Sequence, residues 1–139
     1  MVIPDSVIAI EDAIQHAQSK DGAFAWNHIT SVSLGSNIQH IGLSAFANNK
    51  LTSVIIPDSV QTIGQDIPYD GYNAYGAFAF NELTSVTLSS NLTKINPYTF
   101  RANQISSIII PESITSIEKN AFIYNEIISL TLPSSVTNI

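Results

Sequence analysis

The sequence predicts a solenoid, a chain wound into about six stacked repeats that form one domain. The first observation is a recurring string: NELTSVTL begins at Asn81, and close variants begin at Asn27, Asn49, Asn103 and Asn125. Their starting points lie 22 residues apart, except for one gap of 32. The second observation is a phenylalanine three residues before each of these asparagines. Self-similarity at a period of roughly 20 to 50 residues is typical of solenoids and other arrays.

An alternating segment in each unit predicts a β-strand. Val86 and Leu88 would point inward while Ser85 and Thr87 point outward, which is the period of a half-buried strand. We expect strands near 31–34, 53–56, 85–88, 107–110 and 129–132, side by side in one parallel sheet of a right-handed coil. Short helical turns or loops would form the other face. The predicted repeats are approximately 1–28, 29–50, 51–82, 83–104, 105–126 and 127–139, and we expect them to be a segment of a longer array.

Two columns of recurring side chains are predicted to hold the stack together. One repeat cannot bury its own apolar face, so each repeat depends on its neighbours. The phenylalanines would form an aromatic column in the core, and the asparagines a buried ladder that pairs turn backbone groups. These ladder residues are Phe24, Phe46, Phe78, Phe100 and Phe122, and Asn27, Asn49, Asn81, Asn103 and Asn125. A binding role for the asparagines is the less favoured alternative.

The pattern LTSVxIPxSVxxIxxxAFxxNx resembles the BspA-like subfamily of bacterial leucine-rich repeat proteins. The general leucine-rich repeat has the form L-x-x-L-x-L-x-x-N/C-x-L. The resemblance covers essentially the whole chain and implies a leucine-rich-repeat solenoid. It also implies an extracellular or cell-surface protein that functions in adhesion or host-protein binding. The family has no catalytic motif that could be transferred to this chain.

Composition excludes several other functions. The chain has 139 residues, a net charge of −6 and only five scattered lysines and arginines, so it is a poor candidate for binding DNA or RNA. It contains no cysteine, which excludes disulfides and thiolate metal sites. No apolar run reaches the roughly 18 residues of a membrane span, so no membrane insertion is expected. The N-terminal MVIPDSV matches a repeat interior (IIPDSV at 55–60) rather than a signal peptide, so we expect Met1 to have been supplied for expression.

Two insertions interrupt the repeats between an isoleucine and the phenylalanine. The first, residues 11–22, has helical apolar spacing and predicts a short helix. The second, residues 64–76, is rich in tyrosine, which is favoured at binding surfaces because a rigid ring offers contact area at low entropic cost. Its candidate partner-binding residues are Tyr69, Asp70, Tyr72, Asn73 and Tyr75. The alternative is that these tyrosines fold back to shield the core. The spacing of its acidic residues does not fit a calcium loop.

No catalytic, cofactor or metal motif is recognisable. The three histidines (His16, His28 and His40) form no H-E-x-x-H pattern, and the serines lie in no G-x-S-x-G motif. The phosphate-binding glycine patterns are also missing. The sequence therefore favours a module without enzymatic activity.

We interpret the chain as a recognition or adhesion module of a bacterial surface or secreted protein that binds a protein or carbohydrate partner. The alternative is a structural spacer without a ligand of its own, although a spacer has no need of tyrosine-rich protrusions. We also expect end-to-end self-association, because the last repeat would leave its inward side chains uncovered. Those side chains are Leu130, Leu132, Val136 and Ile139.

Overall fold

A computed structural model describes residues 1–12, 22–65 and 75–139. Seven short strands lie in these ranges, and every pair of neighbouring strands is parallel. They are β1 (Ala9–Ile10), β2 (His40–Ile41), β3 (Ser53–Ile55), β4 (Thr62–Ile63), β5 (Ser85–Thr87), β6 (Lys94–Ile95) and β7 (Ser116–Ile117). The predicted helix in the first insertion lies outside the described residues.

The strands form three small parallel sheets, β1-β2-β4, β3-β5 and β6-β7. Their register aligns equivalent positions of successive repeats: Ile41 pairs with Ile10 on one side and with Ile63 on the other. Val54 likewise pairs with Val86. The predicted parallel pairing between successive repeats is therefore confirmed, and one repeat in this arrangement is called a coil.

The prediction of one five-stranded sheet is wrong. Segments 53–56 and 85–88 contain β3 and β5, but segments 31–34, 107–110 and 129–132 form no regular strand, although Ser33 makes an isolated bridge to Val2. The bonds between those later coils lie just ahead of the predicted strands, for example from Gln104 N–H to Leu83 O (3.0 Å) and from Glu126 N–H to Ile105 O (3.1 Å). The other five strands lie at a different position of the repeat, where β1, β2, β4, β6 and β7 each end at an isoleucine: Ile10, Ile41, Ile63, Ile95 and Ile117.

Of the predicted helical turns or loops, the described residues form loops and single turns but no helix, and therefore none that could cross a membrane. Single turns do occur, as in the bond from Ala47 N–H to Ser44 O (3.0 Å). They do not propagate because residues such as Ser44, Tyr98 and Asn120 have left-handed backbone angles, with φ between 58° and 60°. A left-handed residue ends a right-handed helix.

The core is a stack of equivalent side chains. Neighbouring rings of the phenylalanine column lie 5.4–5.8 Å apart and are nearly parallel. Phe46, Phe78 and Phe100 are fully buried, whereas Phe24 and Phe122 at the two ends are half-buried. Aliphatic residues fill the rest of each coil, so adjacent coils supply the cover that no single repeat has.

Candidate functional site

The turn that follows each core phenylalanine has an unusual backbone. The residue two positions after the phenylalanine has φ between 53° and 59° in all five coils that contain this turn. These residues are Trp26, Asn48, Phe80, Ala102 and Tyr124. Asparagine tolerates this left-handed conformation, but for a bulky side chain it is an outlier that costs roughly 1–3 kcal/mol. Three coils therefore place an aromatic ring at a position where asparagine would be less strained.

The aromatic rings at these turns join into one surface, which we call the aromatic strip. It consists of Trp26, Tyr75, Phe80, Tyr98, Arg101 and Tyr124. The ring of Tyr75 lies 6.2 Å from that of Trp26, edge to face, and 5.0 Å from that of Phe80. Tyr75 thus bridges the first and third coils, because the second coil carries Asn48 at the turn position.

Arg101 continues the strip across the fourth and fifth coils. Its guanidinium carbon lies 5.1 Å from the ring centre of Phe80, 5.6 Å from Tyr98 and 5.7 Å from Tyr124. Asn120 donates a hydrogen bond to the hydroxyl oxygen of Tyr98 (3.3 Å) and so holds that ring in place. A guanidinium over several aromatic faces is a favourable cation–π arrangement.

The strip is open to solvent at both ends. Trp26 is 56% exposed and Tyr124 is 68% exposed, while Tyr75, Phe80 and Arg101 are partly covered and Tyr98 is buried. Contiguous aromatic surface of this kind, with an arginine among the rings, is enriched at binding interfaces. The arrangement offers ring faces and one positive charge to a partner.

Tyr75 is the one candidate from the second insertion that the structure describes. It is half-buried within the strip, and its carbonyl oxygen accepts a hydrogen bond from the Ser44 hydroxyl (2.9 Å). Tyr69, Asp70, Tyr72 and Asn73 lie outside the described residues, so their predicted binding role stays a prediction.

The asparagine ladder has the same bonding pattern in successive coils. The side chain of Asn81 donates to Phe46 O in the preceding coil (2.9 Å) and to Phe78 O in its own turn (3.1 Å), and it accepts from Leu51 N–H (3.1 Å). Asn49, Asn103 and Asn125 make equivalent bonds. These amides pair backbone groups inside the protein, which is the bonding expected of a structural ladder.

The ladder departs from the expected buried column at its ends. Asn27 is exposed and Asn125 is half-buried, whereas Asn49, Asn81 and Asn103 are buried. Asn27 differs from the buried ladder residues because, among the described residues, its amide donates only to carbonyl oxygens of its own turn, Phe24 O (3.2 Å) and Ala25 O (3.1 Å).

A second network lies at the roots of the two insertions. The Nε2 atom of His40 lies 3.4 Å from Asp12 Oδ2, and its Nδ1 atom lies 2.7 Å from the hydroxyl of Thr62. Asp12 also accepts hydrogen bonds from Leu43 N–H (2.6 Å) and from the Gln65 side chain. Because other donors already bind the Asp12 carboxylate, we interpret this hydrogen-bond network as a structural link that holds the insertion roots to the coils. In the described ranges no three acidic, histidine or cysteine side chains are grouped to hold a metal ion.

A repeated carboxylate clasp joins two pairs of coils on another side of the stack. Asp58 accepts from Ser90 N–H and from its hydroxyl, both at 2.8 Å, and Asp5 accepts from the same two groups of Ser36 at 2.6 and 3.0 Å. These bonds, first the backbone and then the hydroxyl donor, lower the pKa of each carboxyl group. The clasps are intercoil fasteners with their carboxylates at the surface.

Sequence reasoning missed most of the strip. One position of the repeat holds Trp26, Phe80 and Tyr124, and its residue type varies from repeat to repeat. The periodic pattern therefore does not identify it. The available signal was that aromatic residues recur two positions after the core phenylalanine, in three of five turns. Arg101 was noted only as one scattered cation.

A match to a known family agrees with the repeat pattern. The model of the BspA-type leucine-rich repeat region matches residues 18–139 in six copies. Among solved structures, a leucine-rich cell surface protein from Faecalibacterium prausnitzii aligns with a TM-score of 0.39 and 19% identity, covering 98% of this chain and 54% of its own. The chain thus spans about half the length of that protein. No curated protein has significant similarity to this chain.

Proposed function

The chain belongs to the BspA-type leucine-rich repeat family, and we propose that it is a recognition or adhesion module of a bacterial cell-surface or secreted protein. It binds an external protein or glycan and catalyses no reaction of its own. The observation that carries this proposal is the aromatic strip. Three of its rings occupy strained left-handed positions, and two of these, Trp26 and Tyr124, are mostly exposed. A fold that needed only stability would place asparagine or glycine there.

The test is a binding screen of the intact chain against arrays of glycans and of extracellular proteins. We expect one ligand class to bind the wild-type chain and to lose at least about tenfold in affinity on the double change W26A/Y124A, since exposed aromatic anchors dominate interfaces. Ile109→Ala is the matched control, because Ile109 is 86% exposed but lies in segment 107–110, outside the turns that follow the core phenylalanines. Binding that survives the double change places the ligand elsewhere.

The second candidate function is a spacer that separates other domains. Its supporting observation is the unbroken phenylalanine column and asparagine ladder, which link successive coils from Phe24 to Asn125. The same screen separates the two functions: a spacer binds no ligand through this chain.

A further inference from the structure

The aromatic strip contains one charged group without a counterion. In the described part of the chain Arg101 has no carboxylate partner, and its Nε atom is buried with no hydrogen-bond acceptor. The three rings around its guanidinium supply only cation–π attraction. Because Nε is enclosed by the protein, a ligand would meet the terminal nitrogens of this partly exposed side chain, and a charged donor group without a counterion gains from a ligand that provides one.

The planar donors of a guanidinium match two oxygens of a carboxylate or of a phosphate, and the carboxylate carries the smaller negative charge. The protein as a whole carries a net charge of −6. That overall charge repels a densely anionic polymer. The site therefore suits a ligand with an isolated carboxylate between uncharged units.

The backbone around the strip has few unpaired N–H groups with which to bind a peptide. Extended peptides are usually held by main-chain hydrogen bonds to unpaired strand edges. Here the turn amides already donate to the next coil, with Trp26 N–H bonded to Ala47 O (2.9 Å) and Phe80 N–H to Arg101 O (2.9 Å). What remains for a ligand is ring surface and one guanidinium.

Ring faces without backbone donors favour a saccharide, whose apolar C–H faces pack on aromatic rings as other apolar surfaces do. We propose that the aromatic strip binds a linear oligosaccharide that carries a sparse carboxylate, with Arg101 pairing the carboxylate and Trp26, Phe80 and Tyr124 contacting the neighbouring sugar units. This inference rests on the proposed recognition function and specifies its ligand.

The test is calorimetric titration of the intact chain with a xylo-oligosaccharide bearing one glucuronic acid branch. Its controls are the same sugar with the carboxyl group reduced to an alcohol, and a short Gly/Ser peptide containing one aspartate. We expect the acidic sugar to bind at least about tenfold more tightly than the reduced one, as for a charge-assisted hydrogen bond. Arg101→Gln should abolish that preference. Lys94→Gln removes the same charge from β6, where Lys94 pairs with Glu118 (3.1 Å), and should preserve it.

The wild-type comparison needs no variant, so it decides the inference even if Arg101→Gln fails to fold. Equal binding of the acidic and reduced sugars overturns the role of the carboxylate but leaves the recognition function intact. If only the aspartate peptide binds, and its binding is lost in Arg101→Gln, the strip binds protein partners and the inference of a saccharide ligand is wrong. Binding of none of the probes also overturns the inference, whereas the proposed function is decided by the array screen.

Discussion

Asn103→Ala tests the physical basis of the stack. The change removes the amide that donates to Phe78 O (3.0 Å) in the preceding repeat and accepts from Leu83 N–H (3.0 Å) at the start of its own repeat. Phe78 and Leu83 are fully buried, so neither backbone group can readily turn to water. An unpaired buried group costs about 1–3 kcal/mol. With partial relaxation we expect the free energy of unfolding to fall by about 2–4 kcal/mol in total.

Asn27→Ala is the matched control, since Asn27 is exposed and its amide bonds only within its own turn. We expect it to cost less than about 0.5 kcal/mol, as at other surface positions. Urea unfolding at equilibrium measures both changes, provided that the slope of free energy against urea is unchanged. If Asn103→Ala costs no more than Asn27→Ala, the ladder does not stabilise the coils and the reasoning fails.

Three further predictions concern the strip, the clasps and the last coil. Tyr124→Asn should change the free energy of unfolding by less than about 1 kcal/mol, because relief of left-handed strain offsets the lost contact with Arg101; a loss of several kcal/mol in urea unfolding would make the ring structural. The lowered pKa values of Asp5 and Asp58 stabilise the fold above the unfolded-state pKa of about 3.9, and this stabilisation is lost as pH falls through the folded-state values. The melting temperature should therefore drop on acidification below about pH 4, and drop less in D5N/D58N. Identical acid profiles of the two proteins would show that the clasps do not stabilise the fold. Leu130 and Leu132 are 40% and 37% exposed, so sedimentation at rising concentration should show association that Leu132→Ser weakens, and a strict monomer would contradict it.

The repeat frame is readable from the sequence because stacking requires equivalent residues in every coil. Phe78 contacts Phe46 and Phe100 on its two sides, so any change of register would break both contacts. Periodicity alone therefore indicates the core, the stacking direction and the asparagine positions. The repeat boundaries and the right-handed coil stay predictions.

The strand positions were harder to predict from the sequence. A segment forms a strand only where its backbone groups hydrogen-bond to a neighbouring coil. Ile41 lies in a strand since Gly42 N–H reaches Ile10 O and Gly64 N–H reaches Ile41 O, both at 2.7 Å. No local pattern around Ile41 distinguishes this pairing from a turn. The absence of helices in the described residues was hard to predict for a related reason: Ser44 and Tyr98 have positive φ, a conformation that their residue types do not indicate.

The candidate site was the least readable part. The strip is assembled from contacts across coils, such as Arg101 over Phe80 and Tyr124, and no single repeat contains it. The same holds for His40, whose neighbours Asp12 and Thr62 come from the coils on either side. Side chains at variable positions acquire a role only through stacking, which the sequence pattern does not weigh.

The central claim is that ligands bind at the aromatic strip, and Trp26 provides its most direct test. Trp26 is the single tryptophan of the chain, so its fluorescence reports on one end of the strip alone. Titration with the ligand class found by array screening should shift or quench the Trp26 emission with the same midpoint as the calorimetric binding curve. Saturable binding by calorimetry with unchanged Trp26 emission, and with full affinity in W26A/Y124A, would contradict the account.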